Sequence, residues 1–122
     1  MGVTFIYDWD RVVLTDHAIM RGKERLGLGK KALKRMSDKA FKEGVALGDM
    51  YGSLYRYISE KLDRPYTPPI SDVRLYGEYL FLYSAGKDQY FGDTFPILVT
   101  ILLVPAELRR QAILQFKKSR VA

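Results

Sequence analysis

The chain of 122 residues is long enough to bury one hydrophobic core, and its hydrophobic share of 48% excludes an intrinsically disordered chain. It contains no cysteine, which excludes disulfides and thiolate metal sites and is typical of a reducing compartment. Its net charge of +6 is uneven, because residues 15–44 contain nine Lys or Arg against four Asp or Glu, and residues 105–122 contain five against one. Two focused basic segments favour a polyanion as partner, although two solvated helices with ordinary lysines explain them equally well.

The length predicts a single domain, residues 1–122. Its first predicted element is a strand at residues 3–7, where β-branched and aromatic residues follow one another. This strand stands alone or forms a hairpin with the apolar residues 12–14. Thr15 and Asp16 both suit a helix N-cap, which predicts a helix that begins at residue 16 or 17 and ends near Gly27.

A second helix is predicted at residues 30–43, where apolar side chains recur at helical spacing and the opposite face is basic. Gly44 suits the left-handed position after the last turn of this helix. A third helix covers about residues 50–62, since apolar residues spaced four apart form one stripe there. The glycines of residues 27–29 fit an interhelical turn, because the sequence around them lacks the spacing of a phosphate-binding P-loop.

The second half of the chain is predicted to be mainly strands. A proline-rich loop precedes strands at residues 73–77 and 79–85, which meet at a turn around Gly77. After a polar loop with glycine at both ends, the apolar run 95–104 predicts a central strand, and Pro105 suits position N1 of a last helix. The order predicts an α+β fold with an N-terminal strand or hairpin, three helices, a three-stranded antiparallel sheet and a C-terminal helix.

The chain's only histidine, His17, precedes Arg21 by four residues and Arg25 by eight, so the three side chains share one face of the predicted first helix. A neutral imidazole accepts a proton from a hydroxyl, and guanidinium groups bind phosphate oxygens. These are the groups that metal-free cleavage of RNA requires, with His17 as the base toward the ribose 2′-hydroxyl. The simpler interpretation is an exposed histidine beside arginines that pair with carboxylates such as Glu24.

Two strand residues are further candidates for this site. Thr100 interrupts an apolar strand, so its hydroxyl either faces the first helix and contacts substrate or belongs to an ordinary β-branched strand residue. Arg74 meets the His17 cluster if it lies on the sheet face under the first helix, and is a solvated charge if it lies on the other face. The aromatic residues of the predicted sheet either stack on bases or fill the core.

The candidates for nucleic-acid binding come from both basic segments and from the sheet: Lys30, Lys31, Lys34, Arg35, Arg74, Arg109 and Arg110. No metal ion or cofactor is expected, because the chain has one histidine and no dense pattern of carboxylates. Its longest apolar run is far shorter than the ~20 residues of a membrane helix, and the N-terminus has no secretion signal, so no membrane partner is expected.

Four segments carry a resemblance to a known group: VLTDHAIMRGKERLGLGKKALKRMSDKAFKEGV, GSLYRYI, VRLYGEYLFLYSA and LVTILLVPAELRR. Over residues 13–110 they resemble short proteins of phages, prophages and bacteria of the Firmicutes type, which implies the cytoplasm of a bacterial host cell. A helical His and Arg before a small antiparallel sheet, with a threonine on a late strand, also looks like the barnase–EndoU–colicin–RelE type of ribonuclease toxin. That resemblance implies catalytic roles for His17, Arg21, Arg25 and Thr100.

These observations favour two functions from different classes. The first is a small basic protein that acts on RNA, either as a metal-independent endoribonuclease of the toxin type or by binding alone. The second is a non-enzymatic inhibitor of a host nuclease defence, of the anti-CRISPR or anti-defence kind, which acts by binding protein or nucleic acid. The expected partners are therefore RNA or another polyanion, or a host defence nuclease.

Overall fold

A computed structural model describes residues 11–121 of the protein. The predicted strand at residues 3–7, and with it half of the predicted hairpin, lies outside the described residues. In chain order the elements are β1 (Val13–Leu14), α1 (Asp16–Leu26), α2 (Lys30–Glu43), β2 (Val45–Ala46), a 3-10 turn (Leu47–Asp49), α3 (Gly52–Leu62), β3 (Asp72–Tyr76), β4 (Tyr79–Lys87), β5 (Thr94–Leu103) and α4 (Ala106–Arg120). The predicted α+β class is confirmed.

Within residues 11–121 the strands form one sheet in the order β1-β5-β4-β3-β2. The predicted three-stranded antiparallel sheet is only its middle part. β5 is an interior strand, as predicted, because it lies between β1 and β4, and β4 occupies the middle position of the five. At one edge β2 pairs antiparallel with β3, and at the other β1 runs parallel to β5 through the pairs Val13–Ile97 and Leu14–Leu98. β1 falls within the apolar residues 12–14 of the predicted hairpin, but its parallel pairing with β5 was not predicted. β2 was not predicted at all, because a strand of two residues carries no alternation that a sequence pattern detects.

Helices cover both faces of the sheet. On one face α1 and α2 bury a core of Val12, Ala18, Leu33, Ala40, Phe81, Tyr83, Leu98 and Ile101. On the other, α3 and α4 bury a core of Val45, Met50, Leu54, Ile58, Val73, Leu75, Leu80, Leu82, Val104 and Ala112. Successive residues of β4 therefore enter the core on alternate faces, and the rings of Phe81 and Tyr83 are fully buried rather than available for stacking on bases.

The ends of α1 follow the local signals. The Thr15 hydroxyl oxygen accepts a hydrogen bond from the Ala18 N–H at 3.0 Å, and Gly27 ends the helix with a φ of +67°. Gly44 after α2 is different, because its φ is −71° and the predicted left-handed conformation is wrong. A Cβ at Gly44 would lie 2.5 Å from the Ala40 carbonyl oxygen and 2.9 Å from Arg74 Cβ, so the tight connection between α2 and β2 requires glycine here.

Two other helix starts differ from the prediction by one or two residues. α3 begins at Gly52 rather than at Met50, because Met50 and Tyr51 are extended cap residues between the 3-10 turn and the helix. Pro105 is the N-cap of α4 rather than its first helical residue. Neither shift changes which face of the helix is buried.

Candidate nucleic-acid interface

The predicted His17 cluster is only partly assembled. His17 is exposed in the first turn of α1, and the Arg21 Nε–H donates to His17 Nε2 at 3.4 Å, as the spacing of four residues predicts. The same guanidinium also pairs with Glu24, at 2.7 Å between Nη1 and Oε2. Arg21 therefore contacts both the imidazole and a carboxylate, which partly neutralises the charge it can offer to a phosphate.

Arg25 is bound to the sheet. Its Nη1 donates a hydrogen bond to the backbone carbonyl of Ile101 in β5. At the other end of α1 the Thr15 hydroxyl donates to the carbonyl of Leu98 at 2.9 Å. Both side chains thus donate to carbonyls of β5, and the role of Arg25 is to fix α1 on the sheet.

Thr100 lies on the sheet face opposite α1. It is 5% exposed and pairs with Leu82, whose side chain belongs to the core under α3 and α4. Leu98, only two residues earlier, faces α1, because a β-bulge between Leu82 and Tyr83 inserts one extra residue into β5. Simple alternation would have left Leu98 and Thr100 on the same face. The structure therefore does not bring Thr100 to His17.

Arg74 is on the same sheet face as α1, but it lies under α2. Its Nε donates to the Phe41 carbonyl at 3.1 Å, its Nη1 lies 3.5 Å from Asp72 Oδ1, and its Cζ lies 4.9 Å from the Phe41 ring centroid. These contacts hold the guanidinium against the C-terminal half of α2. Arg74 therefore stabilises the packing of α2 and does not join the His17 cluster.

The outer side of α2 presents a row of cations, which we call the α2 stripe: Lys31, Arg35, Lys39 and Lys42. All four are exposed, and the opposite side of the helix is buried through Leu33, Ser37 and Ala40. Lys31, Arg35 and Lys39 have no ion-pair partner within residues 11–121. They follow one another at steps of four, so they occupy about 80° of the helix circumference.

Two other predicted lysines of α2 differ from the stripe. Lys30 is exposed in the first turn, whereas Lys34 Nζ lies 2.9 Å from both carboxylate oxygens of Asp38. Asp38 Oδ1 also accepts a hydrogen bond from the Val12 N–H at 2.9 Å. Lys34 is thus part of a local ion pair that ties α2 to the residues before β1. Sequence reasoning did not single out Lys39, although its spacing from Arg35 is the available signal.

The basic residues of α4 form a separate surface, because α4 packs on the opposite face of the sheet. Arg109 donates to the carbonyl of Val104 at 3.2 Å, and Arg110 is exposed. Near the C-terminal ends of the two helices, Arg120 Nη1 lies 3.2 Å from Glu43 Oε1 of α2. The predicted set of nucleic-acid-binding residues is therefore divided between two faces of the molecule and does not form one patch.

A shallow cleft of about 450 Å³ lies between the end of α2, β2 and α4. Its lining includes the carboxylates of Glu43 and Asp49 and the ammonium group of Lys118. Because the two carboxylates outnumber the cation, this cleft is a poor site for a polyanion. No group of three or more His, Asp or Glu side chains that suits a metal ion is found among the described residues.

Sequence reasoning also missed two exposed rings. Tyr90 and Phe91, in the loop between β4 and β5, are 87% and 83% exposed. The available signal was a pair of aromatic residues inside an otherwise polar loop bounded by glycines.

No known family, curated protein or solved structure matches the chain. Within residues 11–121, no helix combines the length and the apolar character that crossing a bilayer requires.

Proposed function

We propose that the protein binds nucleic acids, including RNA, through the α2 stripe and does not cleave them. The observation that supports this most is the row formed by Lys31, Arg35 and Lys39, which are exposed and have no ion-pair partner within residues 11–121. Each neutralised phosphate releases condensed counterions, so a row of unpaired cations is the arrangement that gains most from a polyanion.

The packing of α2 adds to this argument. Its inner side is held by Leu33 and Ala40 in the core, and the Tyr83 hydroxyl donates to the Ser37 carbonyl at 3.0 Å. Four residues of α-helix advance about 6 Å, so the cations stand at regular intervals on a fixed element. A fixed row of charges loses less conformational entropy on binding than the same charges on a mobile loop would.

Binding is better supported than cleavage because three of the four candidate catalytic residues are bonded to other groups or buried away from His17. Arg21 pairs with Glu24, Arg25 donates to a carbonyl of β5, and Thr100 is buried on the far face of the sheet. Among residues 11–121 only Arg21 hydrogen-bonds to His17, whereas the toxin-type mechanism needs a second cation and a hydroxyl. An endoribonuclease activity stays a prediction, with His17→Ala as its test.

The test compares two variants with equal loss of charge. The stripe variant carries Lys31→Gln, Arg35→Gln and Lys39→Gln, and the opposite-face variant carries Arg56→Gln, Arg110→Gln and Lys117→Gln. All six residues are exposed, and the second three lie on α3 and α4. Affinity for a labelled RNA is measured by fluorescence anisotropy, with circular dichroism as the check on folding.

We expect the stripe variant to bind at least about tenfold more weakly than the wild type and the opposite-face variant to bind within about threefold of it. Equal affinity of the wild type and the stripe variant would contradict the proposal. So would an equal loss in both variants, because that result reports net charge rather than a defined interface.

A second candidate is the non-enzymatic inhibitor of a nuclease, acting by protein binding. It is favoured by Tyr51 and Leu114, which are 54% and 56% exposed on the face of α3 and α4, with Lys118 Nζ 5.9 Å from the Tyr51 ring centroid. Exposed aromatic and apolar groups beside a cation are typical of protein interfaces. The test is a pull-down from a bacterial lysate whose nucleic acid has been digested. If the wild type recovers one nuclease subunit and the Leu114→Asp variant does not, this candidate is favoured over the first.

A further inference from the structure

The hairpin of β4 and β5 extends beyond its neighbours and exposes two aromatic rings. The last pair between β3 and β4 is Asp72–Tyr83, whereas β4 and β5 continue to pair as far as Lys87–Thr94. Tyr90 and Phe91 occupy the loop beyond this last pair and are the most exposed aromatic residues that the structure describes. We call residues 88–92 the hairpin tip.

The backbone of the hairpin tip is held in place by Asp88. Asp88 Oδ2 accepts hydrogen bonds from the Tyr90 N–H at 3.2 Å and the Phe91 N–H at 2.8 Å. The Gly92 N–H donates to the Asp88 carbonyl at 3.0 Å, and Gly92 has a φ of +73°, which only glycine adopts without strain. The loop thus fixes the backbone that carries two rings while their side chains remain in water.

The groups around the rings suit a strand of nucleic acid. Lys87 lies beside the tip, since a Cβ added at Gly92 would be 3.5 Å from Lys87 Cε. The Asp88 carboxylate is directed to backbone N–H groups. The surface that remains includes two aromatic rings, the exposed Gln89 and one nearby ammonium group. Aromatic rings beside a cation are the combination that stacks on bases while contacting phosphate.

The base of the hairpin is also next to α2. Asp38 of α2 accepts from the Val12 N–H, and the next residue, Val13, pairs with Ile97 of β5. From Ile97 the strand and loop run six residues to Phe91, roughly 20 Å of extended chain. The tip therefore lies at most about 20 Å from the strand residue that adjoins the contact with α2.

We infer that Tyr90 and Phe91 stack on unpaired bases, so that the nucleic acid bound by the α2 stripe is single-stranded. This inference rests on the proposed nucleic-acid binding and adds the class of nucleic acid. A duplex keeps the faces of its bases inside its own stack, so it offers nothing on which a protruding ring can stack. Stacking is tolerant of sequence, because every base has a π-face, and little sequence preference is expected.

The experiment separates bases from phosphates. Binding is measured to a short oligothymidylate, to a strand of the same length made of abasic sites, and to a duplex of that length. The wild type is expected to prefer the oligothymidylate to the abasic strand by roughly tenfold or more. Tyr90→Ala with Phe91→Ala removes this preference and leaves affinity for the abasic strand unchanged.

A second tip variant and a matched control refine the test. Tyr90→Leu with Phe91→Leu keeps apolar side chains but removes the rings, and it also loses the preference. Tyr55→Ala removes one exposed ring from the other sheet face and keeps the preference.

Equal affinity of the wild type for the thymidylate and abasic strands, with binding still lost in the stripe variant, would overturn the role of the tip and leave the α2 interface standing. Absence of binding to every strand would overturn both proposals. A tip variant that keeps the base preference but loses binding to phosphatidylserine vesicles would identify the tip as a lipid contact and overturn the stacking role.

Discussion

Arg25 and Ile101 lie 76 positions apart in the chain, and the guanidinium of the first donates a hydrogen bond to the backbone carbonyl of the second. The sequence makes Arg25 a candidate for phosphate binding because it follows Arg21 by four residues, about one helical turn. The structure gives it a different task, since it closes the contact between the C-terminal turn of α1 and β5. Arg25 and Arg35 are therefore both exposed arginines on the same layer of helices, but they have different roles.

This difference predicts that substituting Arg25 lowers stability, whereas substituting Arg35 lowers nucleic-acid binding. Arg25→Ala removes a charged donor from the Ile101 carbonyl, and because the side chain is exposed to water we expect a loss of about 1 kcal/mol in the free energy of unfolding. Arg35→Ala leaves stability unchanged and weakens nucleic-acid binding. Urea unfolding and anisotropy titrations measure the two effects. A stable Arg25→Ala protein with weakened binding would show that Arg25 contacts phosphate instead.

The close packing around Gly44 predicts that a side chain at this position lowers stability. Gly44→Ala puts a Cβ 2.9 Å from Arg74 Cβ and 3.0 Å from the Leu75 carbonyl oxygen, so we expect a loss of roughly 2 kcal/mol in the free energy of unfolding. Gly29 at the other end of α2 is the control, because it is an N-cap with no neighbour within 4 Å of an added Cβ. Gly29→Ser should be neutral or slightly stabilising. Equal destabilisation by both changes would contradict this account.

The burial of the Tyr83 hydroxyl predicts how stability changes at high pH. Burial raises the pKa of its hydroxyl above the ordinary value of 10.0, and the hydroxyl donates to the Ser37 carbonyl at 3.0 Å. As the pH rises past 10.0, the unfolded chain loses this proton before the folded protein does, so the free energy of unfolding falls. Below that pH the contribution is constant.

Tyr83→Phe should make this alkaline fall shallower and should lower stability at neutral pH by about 1 kcal/mol, through the lost hydrogen bond. Tyr55→Phe, at an exposed position, is the control and should change neither. Urea unfolding across neutral and alkaline pH measures both quantities. An unchanged alkaline slope in Tyr83→Phe would mean that other groups cause the fall.

The His17→Ala substitution tests whether the cluster on α1 cleaves RNA. Because Thr100 lies on the other face of the sheet and Arg25 is bound to β5, we expect the wild type and His17→Ala to bind RNA equally and neither to cleave it. Incubation with labelled RNA in the presence of a metal chelator, followed by gel analysis, measures this. Products that end in a 2′,3′-cyclic phosphate, made by the wild type and lost in His17→Ala, would restore the endoribonuclease prediction.

Local signals in the sequence predicted the elements that local physics controls. Thr15 caps α1 and Gly27 ends it, because a hydroxyl N-cap and a left-handed glycine act within one turn of the chain. The turn at Gly77 between β3 and β4 follows from the same kind of signal, and Gly77 has a φ of +66°. These predictions depend on residues that lie close together in the chain.

The features that failed depend on contacts between distant segments. Thr100 faces away from α1 because one bulge residue reverses the alternation of β5, and no residue type in that run marks the bulge. A side chain at Gly44 would clash with Arg74 and Leu75, which belong to another strand, as well as with the Ala40 carbonyl oxygen. The spacing of residues 17, 21 and 25 correctly put three side chains on one helix face, but only the folded sheet determines which groups they contact.

The salt dependence of binding decides whether the α2 stripe contacts the phosphates. In a plot of log affinity against log salt concentration for a single strand, each phosphate contact contributes about 0.7 to the slope. If the α2 stripe is the interface, the stripe variant, which lacks three cations of α2, has a slope smaller in magnitude by roughly two, and the opposite-face variant keeps the wild-type slope. The same slope in the wild type and the stripe variant, or a reduction confined to the opposite-face variant, would contradict the assignment of the interface to α2.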